Sequence, residues 1–331
     1  MINLQRMLCG VPFVMCAFAM VTIATVAAAQ PYPRKAIRIV VPFPPGGGTD
    51  VMARVIAQKL NESWQQAVII DNRPGASGIV GSELVAKSAA DGYTLLVQGT
   101  QHAINLSLFK KMPFDTLRDF AAVAYIASAP FLLVVHPSVP ANSVGELIAY
   151  IKAKPGGLNY GSSGLGGGAH LAGEIFKTAA GVQLQHIAYK GGAPALVDLL
   201  GGQVPMVFDP IPTSITHVRG GKIKALAITS TKRSTLMPEL STVAESGFAT
   251  LAGFDVVAWF GLYAPAVLPK EIATKLNVEV NRILRLPEVR EKFAGLGAES
   301  NPMTTDQFER HLRAEISKFA KAIKDSGATA E

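Results

Sequence analysis

Residues Asn159–Phe176, NYGSSGLGGGAHLAGEIF, carry the reading of the fold. Seven of the first ten are Gly or Ser, and a helical pattern follows at once, with Leu171, Ile175 and Phe176 apolar and Gly181 as a stop. Gly and Ser alone would suit a flexible linker. The preceding GGLNYG ends like a short strand, however, so the stretch reads as strand, tight turn and helix. Such a turn leaves several backbone N–H groups unpaired at the positive end of a helix, and without β-carbons a ligand can come close to them. The natural occupant is an anion.

Three kinds of anion site compete. A nucleotide P-loop needs Gly-Lys-Ser/Thr, whereas this chain has Gly168-Ala169-His170. Gly164, Gly166 and Ala169 satisfy the loose dinucleotide pattern G-x-G-x-x-A, but about 20 residues further on the ribose-binding acid is replaced by Tyr189, Lys190 and Gly191. A small carboxylate held by backbone amides needs no further side chain.

Outward from this loop the chain alternates. IRIVVPF, AVIIDNRP and YTLLVQG read as buried strands, with helices GTDVMARVIAQKLNESW and GIVGSELVAKSAADG between them, and this rhythm implies a parallel sheet covered by helices. A second α/β set of similar size runs from PFLLVVHP to IKALAITS, and two long helical stretches follow GFDVVAWFGLYAP. The last stretches are expected to pack back on the first set. The chain then crosses between two lobes near Ala127–Pro130 and near Thr229–Lys232, as in a hinge. The expected division is residues 30–128 with 231–331 in domain 1, and residues 129–230 in domain 2. Ligands of open α/β sheets sit beyond the carboxyl ends of the strands, so PFPPGGGTD (Pro42–Asp50) is expected to face the Gly/Ser loop across a cleft, as the other half of an anion clamp.

At the start of the chain, Arg6, an apolar run and Ala27-Ala28-Ala29 have the make-up of a secretory signal, residues 1–29, cleaved after Ala29. Both cysteines, Cys9 and Cys16, lie within it, so the mature chain is expected to have no disulfide, thiolate metal site or cysteine nucleophile. About 300 residues remain, enough for two domains. The formal net charge is +7 with the basic residues scattered, and aromatics are 7%, which argues against nucleic acid and suits attraction of small anions.

No G-x-S-x-G elbow occurs, since GSSGL and GASGI have Ser and Gly in the wrong order. The histidines at 102, 136, 170, 186, 217 and 311 never take H-x-x-x-H or H-E-x-x-H spacing. No enzyme activity, metal or cofactor is therefore expected.

YPRKAIRIVVPFPPGGGTDVMARVIAQKL, YGSSGLGGGAHLAGEIF, AYKGGAPALVDLLGGQVPMVFD and GKIKALAITSTKRSTLMPELSTVAESG together closely resemble the Bug-type extracytoplasmic solute-binding proteins of tripartite tricarboxylate transporters. The resemblance covers essentially the whole mature chain. It implies a periplasmic, two-lobed α/β binding protein of the type II class, monomeric, with a two-strand hinge, that closes on a small carboxylate and serves integral-membrane transporter subunits. A ligand sensor without a dedicated transporter, or a secreted enzyme acting on a carboxylate, is the alternative.

The resemblance also implies a ligand site: Phe43, Pro44, Gly46, Gly47, Thr49 and Asp50 from the first loop, and Gly161, Ser162, Ser163, Gly164, Gly167, Gly168 and His170 from the second. Tyr189, Lys190, Gly191 and Asp209 complete it, with ordered waters joining one carboxylate to both loops. Gly167 and Gly168 depart from the polar residues often found there. From the residues alone, Asp50 and Thr49 equally suit the first turn of a helix, and His170 an ordinary structural place. Phe43 and Trp259 are expected to line the cleft and favour an uncharged or aromatic ligand body.

Overall fold

The computed structural model describes residues 32–329; the expected signal segment lies outside them. The strand and helix alternation is realised as β1 (Ile37–Val41), α1 (Gly48–Trp64), β2 (Val68–Asn72), α2 (Ile79–Ala86), β3 (Thr94–Gly99), α3 (Gln101–Leu108) and β4 (Phe120–Val135). A second series follows, with α4 (Val144–Lys152), β5 (Leu158–Ser162), α5 (Gly168–Ala180), β6 (Leu184–Ala188), α6 (Gly192–Leu200), β7 (Met206–Pro210), α7 (Ile211–Arg219) and β8 (Lys224–Ile228). The chain ends with β9 (Val257–Pro265), α8 (Lys270–Ile283), α9 (Pro287–Gly295) and α10 (Thr305–Ser326).

β4 joins the two halves. Its first part, Phe120–Pro130, pairs antiparallel with β9, and its second, Phe131–Val135, pairs antiparallel with β7 and β8. The strand order is β2-β1-β3-β9-β4-β7-β5-β6, with β8 beside β4. Within each half the strands before the long helices are parallel: β1 with β2 and β3, β5 with β6 and β7. The parallel geometry places α1 and α5 after the carboxyl ends of β1 and β5, where crossover helices leave their N-termini free for a ligand. The result is the expected two-lobed α/β fold.

The return crossing is hydrogen-bonded to β4. Thr229 Oγ1 accepts from Phe131 N at 2.8 Å, and Thr229 O accepts from Val256 N at 2.9 Å. Residues 241–254 lie on the second half: Ile228 N donates to Ser241 O at 2.9 Å, Val243 N to Ile228 O at 2.8 Å, and the Phe254 ring lies 6.3 Å from that of Phe176 on α5.

α10 begins with a capping box, Thr304 and Gln307 each accepting a backbone N–H of the other. Its buried face, Phe308, Leu312, Phe319 and Ile323, packs on α3, α8 and β4 but also on α5. The sequence suggested packing on the first lobe alone. A helix of 22 residues spans about 33 Å, and one lobe does not cover so long an apolar face. Trp259 Nε1 donates to Glu315 Oε2 at 2.9 Å and Lys318 Nζ to Asp255 O at 2.8 Å, so α10 also fastens the β9 hinge strand.

The core contains a titratable group with a measurable consequence. His102 of α3 is 1% exposed, with its ring 4.7 Å from those of Phe120 and Tyr263. Burial pushes its pKa from 6.5 down to about 3. The unfolded chain therefore takes up a proton below pH 6.5 that the folded chain refuses until about pH 3, and stability falls as pH drops through that window. At pH 5 the loss from this group is about 2 kcal/mol. Urea unfolding at pH 7 and pH 5 is expected to show an acid loss smaller by about that amount in His102→Phe. Equal losses in the two proteins would contradict the assignment.

Candidate functional site

The first loop, Pro42–Gly48, leaves β1 and enters α1 with Gly47 as N-cap and no side chain bonded to the cap. Pro44 through Gly48 are exposed, and Phe43 and Thr49 half-buried. With no side chain capping the helix, the amides of its first turn are left free, and Asp50 takes only that of Gly46 from inside the loop. Asp50 is not among the groups facing outward. It is 1% exposed, accepting from Gly46 N at 2.9 Å and Arg54 Nε at 2.8 Å through Oδ2, and from Asn72 Nδ2 at 2.9 Å through Oδ1. Burial would raise its pKa, but these hydrogen bonds and the Arg54 charge outweigh burial and hold it at about 2. Asp50 is a brace. Asn72 extends it, donating also to Phe43 O at 3.0 Å.

The second loop, Ser163–Gly167, repeats the arrangement between β5 and α5: Gly167 is the N-cap, again without a side-chain cap. Ser163 and Leu165 are exposed, and Gly164, Gly167 and Gly168 half-buried. Gly164, at φ +143°, holds a conformation that only glycine takes without strain. Ser162 and His170 are buried beneath the loop. Ser162 Oγ lies 3.0 Å from Gly164 O and accepts from Gly164 N at 3.2 Å, while His170 Nδ1 accepts from Gly166 N at 3.0 Å. His170 shapes the loop from inside.

Gly161 is buried, and a β-carbon there would stand 3.1 Å from the Tyr189 ring. Tyr189 donates its hydroxyl to Asp198 at 2.8 Å and so packs the floor, whereas Lys190 is exposed and Gly191 N donates to Ser163 O at 3.1 Å. Asp209, 2% exposed, accepts from the Thr213 and Ser214 hydroxyls of α7. Its pKa is raised by burial, against the opposing effect of those hydroxyls.

Each loop rests on an aromatic ring of a hinge strand. A β-carbon on Gly48 would lie 3.4 Å from the Phe260 ring of β9, and one on Gly168 would lie 3.1 Å from the Phe131 ring of β4. The lobes also touch directly, since a β-carbon on Gly166 would stand 2.3 Å from Leu108 Cδ2 of α3. Trp259 is a correction: it is 0% exposed and bonded to Glu315, so it does not line the cleft. Successive strand residues point to opposite faces, and it is Phe260, one position on, that meets the loop.

The turn Gly75–Gly78 belongs to GASGI, whose sequence does not fit an elbow. It lies beside the first loop: a β-carbon on Gly78 would be 2.5 Å from Gln98 Nε2 and 3.3 Å from the Phe43 ring. Ala76 and Ser77 hold φ of 45° and 52°, a strained left-handed pair of the kind that clusters at ligand sites. Asn105 Nδ2 donates to Ser77 O at 3.0 Å. Gln98, 0% exposed, has a buried Nε2 with no hydrogen-bond acceptor among the described residues. The signal for Gln98 was a polar residue ending the apolar strand YTLLVQG.

Residues 52–328 match the family model described as the tripartite tricarboxylate transporter family receptor. The chain belongs to this receptor family. These receptors bind solutes for transport, and this receptor is 40% identical to a Bordetella pertussis protein named BugT, over 92% of the chain and 94% of BugT. It is also similar to an R. palustris protein, Rpa4515, solved with adipate: 38% identity and a TM-score of 0.76, over 90% of this receptor and 99% of that chain. MatC of Rhodopseudomonas palustris, solved with bound malate, is 31% identical with a TM-score of 0.72, over 88% and 100%. Among the described residues no helix is long and apolar enough to cross a membrane.

Proposed function

We propose that this receptor works in the periplasm as a monomer, closing on a small carboxylate and delivering it to integral-membrane transporter subunits, with no catalytic step and no cofactor. The observation that carries the reading is the pair of uncapped, glycine-lined helix N-termini at Gly47 and Gly167, one from each half of the fold. Adipate and malate in two relatives support a carboxylate as the ligand class. Phe43, Pro44, Gly46, Gly47 and Thr49, with Ser163, Gly164, Gly167 and Gly168, form the proposed contact set. Lys190 and Gly191 stand at its rim, and Asp50, Gly161, Ser162, His170, Tyr189 and Asp209 hold it in shape. The proposed lobes run to Ser128 together with Asp255 onward, and from Ala129 to Phe254, which moves the expected second boundary from Ser230 to the Asp255–Val257 crossing.

A thermal-shift screen of the mature protein against carboxylates including adipate and malate tests the reading. A ligand at 100 times its dissociation constant stabilises by about 2.7 kcal/mol. No shift with any carboxylate, beside a shift with a neutral or cationic solute, would overturn it. Export makes a separate prediction: protein recovered from the periplasm should have the mass of a chain beginning at Gln30 and give no thiol reaction when denatured. A recovered chain that keeps Cys9 and Cys16, or carries lipid, would contradict it.

A further inference from the structure

We propose that His170 and His186 are positioning residues that set the backbone geometry of the second loop and make that geometry depend on pH. The inference rests on the reading of the loop as a carboxylate site.

The two imidazoles are stacked, with ring centroids 3.9 Å apart and planes 24° from parallel. They grip opposite sides of the loop. His170 Nδ1 accepts from Gly166 N at 3.0 Å, so its lone pair must be free and the ring proton lies on Nε2, 4.0 Å from Glu174 Oε1. His186 Nε2 is 2.6 Å from Ser162 Oγ. Ser162 has one hydroxyl proton, and Gly164 O, 3.0 Å away, is the backbone acceptor for it. Ser162 can give its proton to Gly164 O only when His186 Nε2–H donates to the hydroxyl. One proton on each Nε2 thus fixes Gly164 and Gly166, on either side of the exposed Leu165.

A second proton on His170 turns Nδ1 into a donor facing the Gly166 N–H. Two donors cannot share that 3.0 Å contact, so the loop must move or the ring must turn. The groups facing the pair are Glu174 and Lys177 on α5, Tyr160 and Ser162 on β5, and His186 itself on β6. Glu174 is already engaged, accepting from the Tyr160 hydroxyl at 2.7 Å and from Lys177 Nζ at 2.6 Å. Burial lowers both imidazole pKa values, that of His186 to about 4 with the neighbouring His170 as a further cause. The neutral pair is therefore the form at pH 7, and acid releases the loop.

Nitrogen-15 NMR of the mature protein tests this without a ligand. Imidazole shifts are expected to show His170 with Nδ1 unprotonated at pH 7, and the Gly166 amide resonance should follow the His170 titration in acid. In His170→Asn, where Oδ1 takes the place of Nδ1 as a non-titrating acceptor, that acid step should vanish while the amide keeps its hydrogen-bonded position. A proton on Nδ1 at pH 7, or an amide step unchanged in His170→Asn, would overturn the proposal; should that variant fail to fold, the wild-type tautomer decides. With adipate as probe, the dissociation constant is expected to rise as acid protonates His170, and to rise less over the same pH range in His170→Asn. His170→Asn controls for the titration of adipate itself. A protein that binds no adipate at pH 7 counts against the adipate reading of the site, and the tautomer measurement still decides the histidine mechanism.

Discussion

Gly47→Val is expected to leave the protein folded and to weaken its binding of every carboxylate by at least about tenfold. Gly47 has φ −74° and extended ψ, and a β-carbon there meets nothing nearer than Pro44 O at 3.8 Å, so a valine fits the backbone. Its branches would stand where a carboxylate approaches the amides of Gly48 and Thr49. Each charge-assisted hydrogen bond lost is worth about 1.5 to 3 kcal/mol, which sets the lower bound. Gly164→Val should lose affinity too, but φ +143° adds backbone strain, so its unfolding midpoint must be measured beside its affinity. Titration calorimetry over several carboxylates distinguishes blocked amides from altered selectivity. The first reduces all affinities by a similar factor, whereas Phe43→Ala and Phe260→Ala should reorder them. A folded Gly47→Val protein with wild-type affinity would mean that the glycines serve only the turn.

Gly166→Ala should prevent full closure. The added methyl would stand 2.3 Å from Leu108 Cδ2, across the contact between the lobes, and at φ +71° the alanine also strains the loop. Small-angle scattering is expected to show the ligand-free wild type contracting with a carboxylate from the screen, and Gly166→Ala contracting less or not at all. Removing the obstacle with Leu108→Ala in the same chain should restore contraction, because the clash is gone and only the strain of about 1 to 2 kcal/mol remains. Contacting residues of this kind couple by 0.5 to 3 kcal/mol in a double-mutant cycle. A single Gly166→Ala variant that contracts as the wild type does would show that the Leu108 contact has no part in closure.

The sequence was informative where local chemistry is decisive. Gly runs leading into helical spacing identified both loops, because glycine takes without strain the positive-φ conformations found at Gly46, Gly164 and Gly166. Apolar strands alternating with amphipathic helices gave the parallel sheets, since a strand covered on both faces has no polar positions to show. The sequence left two readings open where one residue type has two structural uses. Asp50 and His170 have the chemistry of ligand contacts, but burial and backbone donors turn both inward, to Gly46 N and Gly166 N.

The choice between Trp259 and Phe260 depended on strand phase, which is set by which face of β9 meets α10 and which meets the Gly48 loop. Gln98 and the strained pair Ala76-Ser77 acquire their meaning from Phe43 and Gly78, which no local pattern connects to them. The sequence alone determined the secondary elements, the two Gly-rich loops that enter helices and the receptor class, because these follow from backbone conformational limits and from the burial period along the chain. The tertiary structure alone decided which polar groups face the cleft and which brace it, and that α10 spans both halves. Those outcomes rest on contacts between residues far apart in the chain, where the direction of each side chain is fixed by packing rather than by its neighbours in sequence.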